Sequence, residues 1–175
     1  MQRRDLLRIL GTGTLLPFVP RSVEAASRFA HAAHIAAARR SFEVLTPAQA
    51  ELVGTLADMI IPRTDTPGAT DVGVTGFVDH LLAAWYHDDE RSEFLAGLAE
   101  IDRRAGGKFT GLGPAEQAKF LQSIDGVDGK AGSAEHEFKR LKSLTLYGYF
   151  TSEKVVKEVT KDPMIPGRFD GCVHT

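Results

Sequence analysis

Cysteine is nearly absent from this chain of 175 residues, which contains one Cys and one Trp. A single Cys excludes an internal disulfide, and no paired Cys and His residues have the spacing of a structural zinc site. The sequence has no apolar run of about 18 residues or more, so it predicts no membrane-spanning helix. The net charge is −2, without the basic excess of a nucleic-acid-binding protein, and nucleic acid is therefore not an expected partner.

The N-terminal residues have the pattern of an export signal. Arg3 and Arg4 precede a weakly apolar stretch over 9–19, and Val23-Glu24-Ala25 follows with the small-x-Ala pattern of a cleavage site. These features predict a twin-arginine signal over residues 1–25, cleaved near Ala25, and a periplasmic location. The alternative is an amphipathic N-terminal helix that stays on the protein.

The remaining chain is long enough for one domain with its own core. Residues 26–44 are rich in Ala and predict a short helix or a loosely attached arm, and 45–175 predict one compact helical domain. Strand-like alternation does not occur. The prediction is an all-α fold of about five or six helices, with long irregular loops and an irregular C-terminal tail.

Local signals define the expected helices. Thr46, Pro47 and Gln49 form a capping-box start, and Pro62 ends that helix. Further boundaries are expected at the loop 62–73, Asp88 to Glu90, Arg103 and Arg104 before Gly106, Pro114, the loop 125–132, Ser133 and Thr151. Apolar residues at helical spacing predict the core, namely Leu56, Ile60, Phe77, Leu81, Trp85, Phe94, Leu98, Leu141 and Leu144.

The polar residues do not form a recognisable catalytic set. The histidines are scattered, at His31, His34, His80, His87, His136 and His174, and Asp65 is expected to hydrogen-bond the backbone of its loop. A nucleophile elbow, a phosphate-binding loop and a dinucleotide fingerprint are all missing. The prediction is that this chain has no catalytic, cofactor-binding or metal-binding residues. The alternative is a self-sufficient periplasmic helical enzyme or metal-binding protein that uses the scattered histidines.

The one cysteine, Cys172, lies near the C-terminus after Pro166 and Gly167. In an oxidising compartment, an odd Cys indicates either pairing with another chain or a free thiol. A small buried hydrophobic residue is the alternative.

Three parts of the sequence carry a resemblance to a known family: 45–47 with 57–69 and 73–74, then 144–153, then 166–172. They resemble the small subunit, subunit 3, of membrane-associated gluconate 2-dehydrogenase and of related flavin-dependent sugar dehydrogenases. Helix periodicity does not produce the first and third parts, so these are the specific ones.

The resemblance implies a non-catalytic small subunit in an oxidoreductase complex. In such complexes a large flavoprotein of the glucose–methanol–choline type holds FAD and oxidises a sugar or sugar acid. That subunit lacks a signal, so the small subunit carries it through the twin-arginine pathway, like a chaperone, and stabilises it. A cytochrome c subunit takes the electrons onward in some systems, and contact with the membrane is indirect, through the complex.

The sequence indicates one candidate surface for the large subunit near the end of the fifth predicted helix, and the loop 62–73 and the tail 163–172 are the alternatives. Tyr147, Tyr149 and Phe150 surround a glycine, and aromatic residues are enriched at interfaces, although they also complete cores. Arg168 and Phe169 in the tail are further candidates for this interface. Cys172 is the candidate for an intersubunit disulfide with the flavoprotein.

Overall fold

The computed structural model describes residues 42–161, and this part of the chain is helical, with no strand among those residues. Its helices are α1 (Pro47–Ile60), α2 (Val74–Ala84), α3 (Asp88–Arg104), α4 (Pro114–Ile124), α5 (Ala134–Phe150) and the short α6 (Glu153–Val155), which continues as a π-helix over Val156–Thr160. Short 3₁₀ turns lie at Thr70–Val72 and Phe109–Gly111. The predicted all-α class is confirmed.

The helices begin where local capping chemistry predicts. The Thr46 hydroxyl accepts a hydrogen bond from the Gln49 backbone N–H at 3.3 Å, and the Gln49 side chain accepts one from the Thr46 N–H at 2.9 Å. Ser133 caps α5 by accepting from the His136 N–H at 3.3 Å. These bonds satisfy backbone donors that the first helical turn leaves without partners.

Helix α5 is the centre of the fold, because α1, α2, α3 and α4 all pack against it. Seven of the predicted core residues are buried, which confirms them: Leu56, Phe77, Leu81, Phe94, Leu98, Leu141 and Leu144. Thr145 and Gly148 share the buried face of α5. Phe109 is completely buried as well, although no periodic pattern in the sequence predicts it.

One predicted core residue, Trp85, is wrong, and another, Ile60, lies at the edge of the core. The Trp85 residue is 41% exposed, because α2 ends at Ala84 and Trp85 has left helical geometry at φ −127°. Tyr86, which follows it, is buried instead. Ile60 is only half-buried, since it is the last residue of α1 and lies at the edge of the core that it contacts.

Candidate functional site

The loop 62–73 and the segment 144–153 lie far apart in the chain but meet on one face of the domain. The Tyr149 hydroxyl, in the last turn of α5, donates a hydrogen bond to the Pro67 carbonyl at 2.8 Å. Tyr149 is 3% exposed and Pro67 is half-buried, so this bond is partly shielded from water. It therefore fixes the loop 62–73 against the end of α5, and we call the resulting surface the motif face.

The loop on this face is held by carboxylates. Asp71 accepts hydrogen bonds from the Arg63 Nε at 2.7 Å and from the Gly68 N–H at 2.9 Å, and it also pairs with the Arg63 Nη2. Asp58 of α1 accepts from the Thr70 N–H at 2.9 Å and from the Thr70 hydroxyl at 2.7 Å. The two carboxylates thus define the loop conformation.

Asp65 behaves differently from the other two carboxylates. It accepts from the Thr64 hydroxyl at 2.9 Å, so its hydrogen bond within the loop comes from a side chain rather than from the backbone.

The aromatic residues of the motif face have different exposures. Gly148 allows α2 to approach closely, because a Cβ atom there would lie 2.7 Å from the Phe77 ring. The Tyr147 ring packs at 5.9 Å from the Phe77 ring and is half-buried, and this burial raises the pKa of the Tyr147 phenol. Phe150 is 52% exposed, and its ring stands edge-on to Tyr149 at 5.3 Å between centroids.

Leu146 lies one helical turn before Phe150 and is 41% exposed. Residues four positions apart on a helix share one face. Leu146 and Phe150 therefore form an exposed apolar ridge along the end of α5, which we call the Leu146–Phe150 ridge.

An open cleft of about 430 Å³ also lies on the motif face. It is lined by Asp71 and Val72 from the loop side and by residues of α6 and its π-helical extension, namely Ser152, Glu153, Lys154, Lys157 and Glu158. The Glu153 and Lys157 side chains form an ion pair one turn apart. The cleft wall therefore includes an ion pair, whereas the exposed residues of the ridge are apolar.

A buried polar cluster lies between α3 and α5, where sequence reasoning did not predict one. Glu137 is completely buried and accepts from the Gly132 N–H at 3.1 Å, with the His136 Nδ1 at 2.8 Å from the same oxygen. Arg140 lies 3.6 Å from the other Glu137 oxygen and 4.4 Å from the centre of the Tyr86 ring. Burial raises the pKa of Tyr86, and the Arg140 charge partly opposes this rise.

Gly97 makes room for the Glu137 side chain. A Cβ atom at position 97 would lie 2.2 Å from the Glu137 Cγ and 2.5 Å from its Cβ. Only glycine therefore fits at this crossing of α3 and α5.

The histidines within residues 42–161 are separate from one another. His80 lies 3.9 Å from a Glu43 carboxylate oxygen, His87 precedes α3, and His136 contacts Glu137. In this part of the chain, no group of three or more His, Cys, Asp or Glu residues is arranged to hold a metal ion. None of the helices described between residues 42 and 161 is both long and apolar enough to cross a membrane.

Several predicted residues lie outside the described part of the chain. They are Arg3 and Arg4 of the signal, His31, His34 and His174, and Arg168, Phe169 and Cys172 of the tail. The domain boundaries at residues 25 and 44 stay predictions.

Comparison with protein families gives one match. The family model described as Gluconate 2-dehydrogenase subunit 3 matches residues 47–167, which is more than half of the chain. No curated protein and no solved structure matches the chain. The family match begins at the first residue of α1 and includes the whole motif face.

Proposed function

The chain belongs to the gluconate 2-dehydrogenase subunit 3 family, and on this premise we propose that it is the non-catalytic small subunit of a periplasmic, FAD-dependent dehydrogenase of sugars or sugar acids. The catalytic partner is a flavoprotein of the glucose–methanol–choline type, which binds the FAD. This chain carries that partner through the twin-arginine pathway and stabilises it, and a cytochrome c subunit accepts electrons in some such complexes. The match to this family is the main observation that supports the proposal.

The use of the polar residues supports an accessory role. On the motif face, Asp58 and Asp71 accept hydrogen bonds that fix the loop, and Glu137 in the domain interior accepts from the backbone of Gly132. Each of these carboxylates is thus committed to the fold. The alternative, a self-sufficient enzyme or metal binder, would need groups that the fold leaves available for a substrate or an ion.

We propose that the flavoprotein binds the Leu146–Phe150 ridge. Phe150 exposes about half of its surface, and its edge-on contact with the buried Tyr149 restricts the ring before any partner arrives. A ring that is already oriented loses little conformational entropy on binding. Large aromatic anchors of this kind contribute most of the binding free energy in many interfaces.

Purification from the native host tests the proposal. We expect the chain to bring with it a larger flavoprotein that contains FAD, and we expect the separated small chain to contain neither flavin nor metal. Absorbance and metal analysis of the separated chains measure this. Stoichiometric flavin or metal on the small chain would instead support the self-sufficient enzyme or metal binder.

The same purification from the native host is repeated with the Phe150→Asp variant in place of the wild-type chain. Loss of an aromatic anchor should weaken the complex by about 30-fold, because an interface hot spot contributes about 2 kcal/mol or more. Val127→Asp is the matched control, since Val127 is 48% exposed but lies in the loop before α5. If both variants retain the flavoprotein as the wild type does, the ridge is not its binding surface.

We also propose that Cys172 forms a disulfide with the flavoprotein. A single thiol in an exported chain finds a second sulfur only in another chain, and the bond would keep the subunits together through effective concentration. Non-reducing electrophoresis of the complex should show one covalent band that Cys172→Ser abolishes. Subunits that migrate separately without reductant, in the wild type, would show that Cys172 is a free or buried thiol.

A further inference from the structure

A buried carboxylate on α2 holds the segment that precedes α1. Asp79 is 3% exposed. Its two oxygens accept hydrogen bonds from three consecutive backbone N–H groups, those of Glu43 at 2.6 Å, Val44 at 3.0 Å and Leu45 at 2.8 Å. Asp79 lies more than 30 positions after residues 43–45 in the sequence, and it fixes them on the surface of α2.

These contacts make a strong local anchor. Successive backbone N–H groups that point at one site form an anion-binding nest. Hydrogen bonds to an ionised acceptor are roughly twice as strong as those between neutral groups. Near the same segment, the Glu43 carboxylate lies 3.9 Å from the His80 Nδ1, so a second residue of α2 faces it.

Different hydrogen bonds hold the anchored segment and the start of the helix that follows it. Phe42 and Glu43 are exposed, Val44 is half-buried and packs against the core, and Leu45 is buried in it. Helix α1 begins with its own capping box between Thr46 and Gln49, which does not involve Asp79. Release of residues 43–45 would thus leave the cap of α1 intact.

From this geometry we propose that Asp79 is a latch: it holds residues 43–45 on α2 and opens as a local unit while the helices stay packed. The closed latch sets the point at which the N-terminal residues join the domain. The open latch frees that point and takes Leu45 out of the core, while α1 to α5 stay packed. Opening of this kind is local unfolding, which needs less free energy than unfolding of the whole domain.

Hydrogen–deuterium exchange on the full chain tests the latch. Asp79→Asn keeps the shape of the side chain but replaces one accepting oxygen with an amide group that donates. Exchange at residues 43–45 should become about tenfold faster or more, while α5 exchanges as in the wild type. Unchanged exchange at 43–45, or equal acceleration in α5, would overturn the proposal.

A second pair of variants keeps the test decisive if Asp79→Asn does not fold. Glu43→Pro removes one donor at an exposed position, and Glu43→Ala keeps that N–H while removing the contact with His80. We expect faster exchange at residues 44 and 45 in Glu43→Pro only. The same rate in both variants would show that the backbone bond to Asp79 does not hold the segment.

Discussion

Replacement of both Arg3 and Arg4 by lysine is expected to retain the dehydrogenase activity of the complex inside the cell. In the proposed role, the small subunit supplies the only export signal, and the export receptor reads the arginine pair itself. Lysine keeps the charge but loses the planar, five-donor guanidinium, so the exchange is not conservative at a recognition site. Activity assays on separated periplasm and cytoplasm measure the result.

The chain supplies a matched control for this experiment. Arg39 and Arg40 form a second adjacent pair, outside the predicted signal, and their replacement by lysine should leave export unchanged. Total activity in the lysate should also be equal for all variants. A change in periplasmic activity then reflects export and not assembly of the complex. Normal periplasmic activity in the Arg3 and Arg4 variant would contradict the carrier role.

Gly97→Ala is expected to destabilise the domain strongly. The added methyl would lie 2.2 Å from the Glu137 Cγ, and the completely buried Glu137 cannot move without losing its hydrogen bonds. Helices α3 and α5 must then separate. Overpacking together with the lost hydrogen bonds should cost about 3 kcal/mol of unfolding free energy, which corresponds to a fall in Tm of roughly 6–12 °C.

Thermal unfolding followed by circular dichroism measures this change, with Gly54→Ala as its control. Gly54 is also a buried helical glycine, but a Cβ atom there would meet the Thr75 hydroxyl at 3.3 Å and the Thr70 methyl at 3.4 Å. The gain in helix propensity offsets this milder crowding, so its stability should stay within about 1 kcal/mol of the wild type. Similar Tm values for the two variants would show that the close approach of Gly97 to Glu137 does not require glycine.

Helix boundaries were predictable because their causes are local. Thr46 and Gln49 cap α1 through bonds over three residues, and the basic pair Arg103 and Arg104 precedes Gly106 at φ 88°. Trp85 shows that the helical spacing of apolar residues does not by itself predict burial. Its spacing from Leu81 continues the apolar stripe, but the next helix begins at Asp88, and the chain must leave helical geometry before it.

The buried polar residues could not be predicted from hydropathy. Asp79 accepts from backbone N–H groups more than 30 positions away, which no local pattern indicates. Glu137 accepts from the backbone N–H of Gly132, in the loop before α5. One signal for Glu137 was present, since it lies four positions before Leu141 on the core face of α5. The aromatic residues near Gly148 were predicted as one group, but helical rotation places Tyr149 inside and Phe150 outside.

The central position of α5 has a consequence for the order of events during synthesis. Four helices pack on α5, and it is the last long helix of residues 42–161 to be made. Translation at roughly 5–20 residues per second places about 5–20 s between the end of α1 and the end of α5. Helices α1 and α2 also contact each other, but until α5 is made the earlier helices lack the surface that it supplies. A partner that binds at Phe150 therefore meets a completed face only after α5 has been translated.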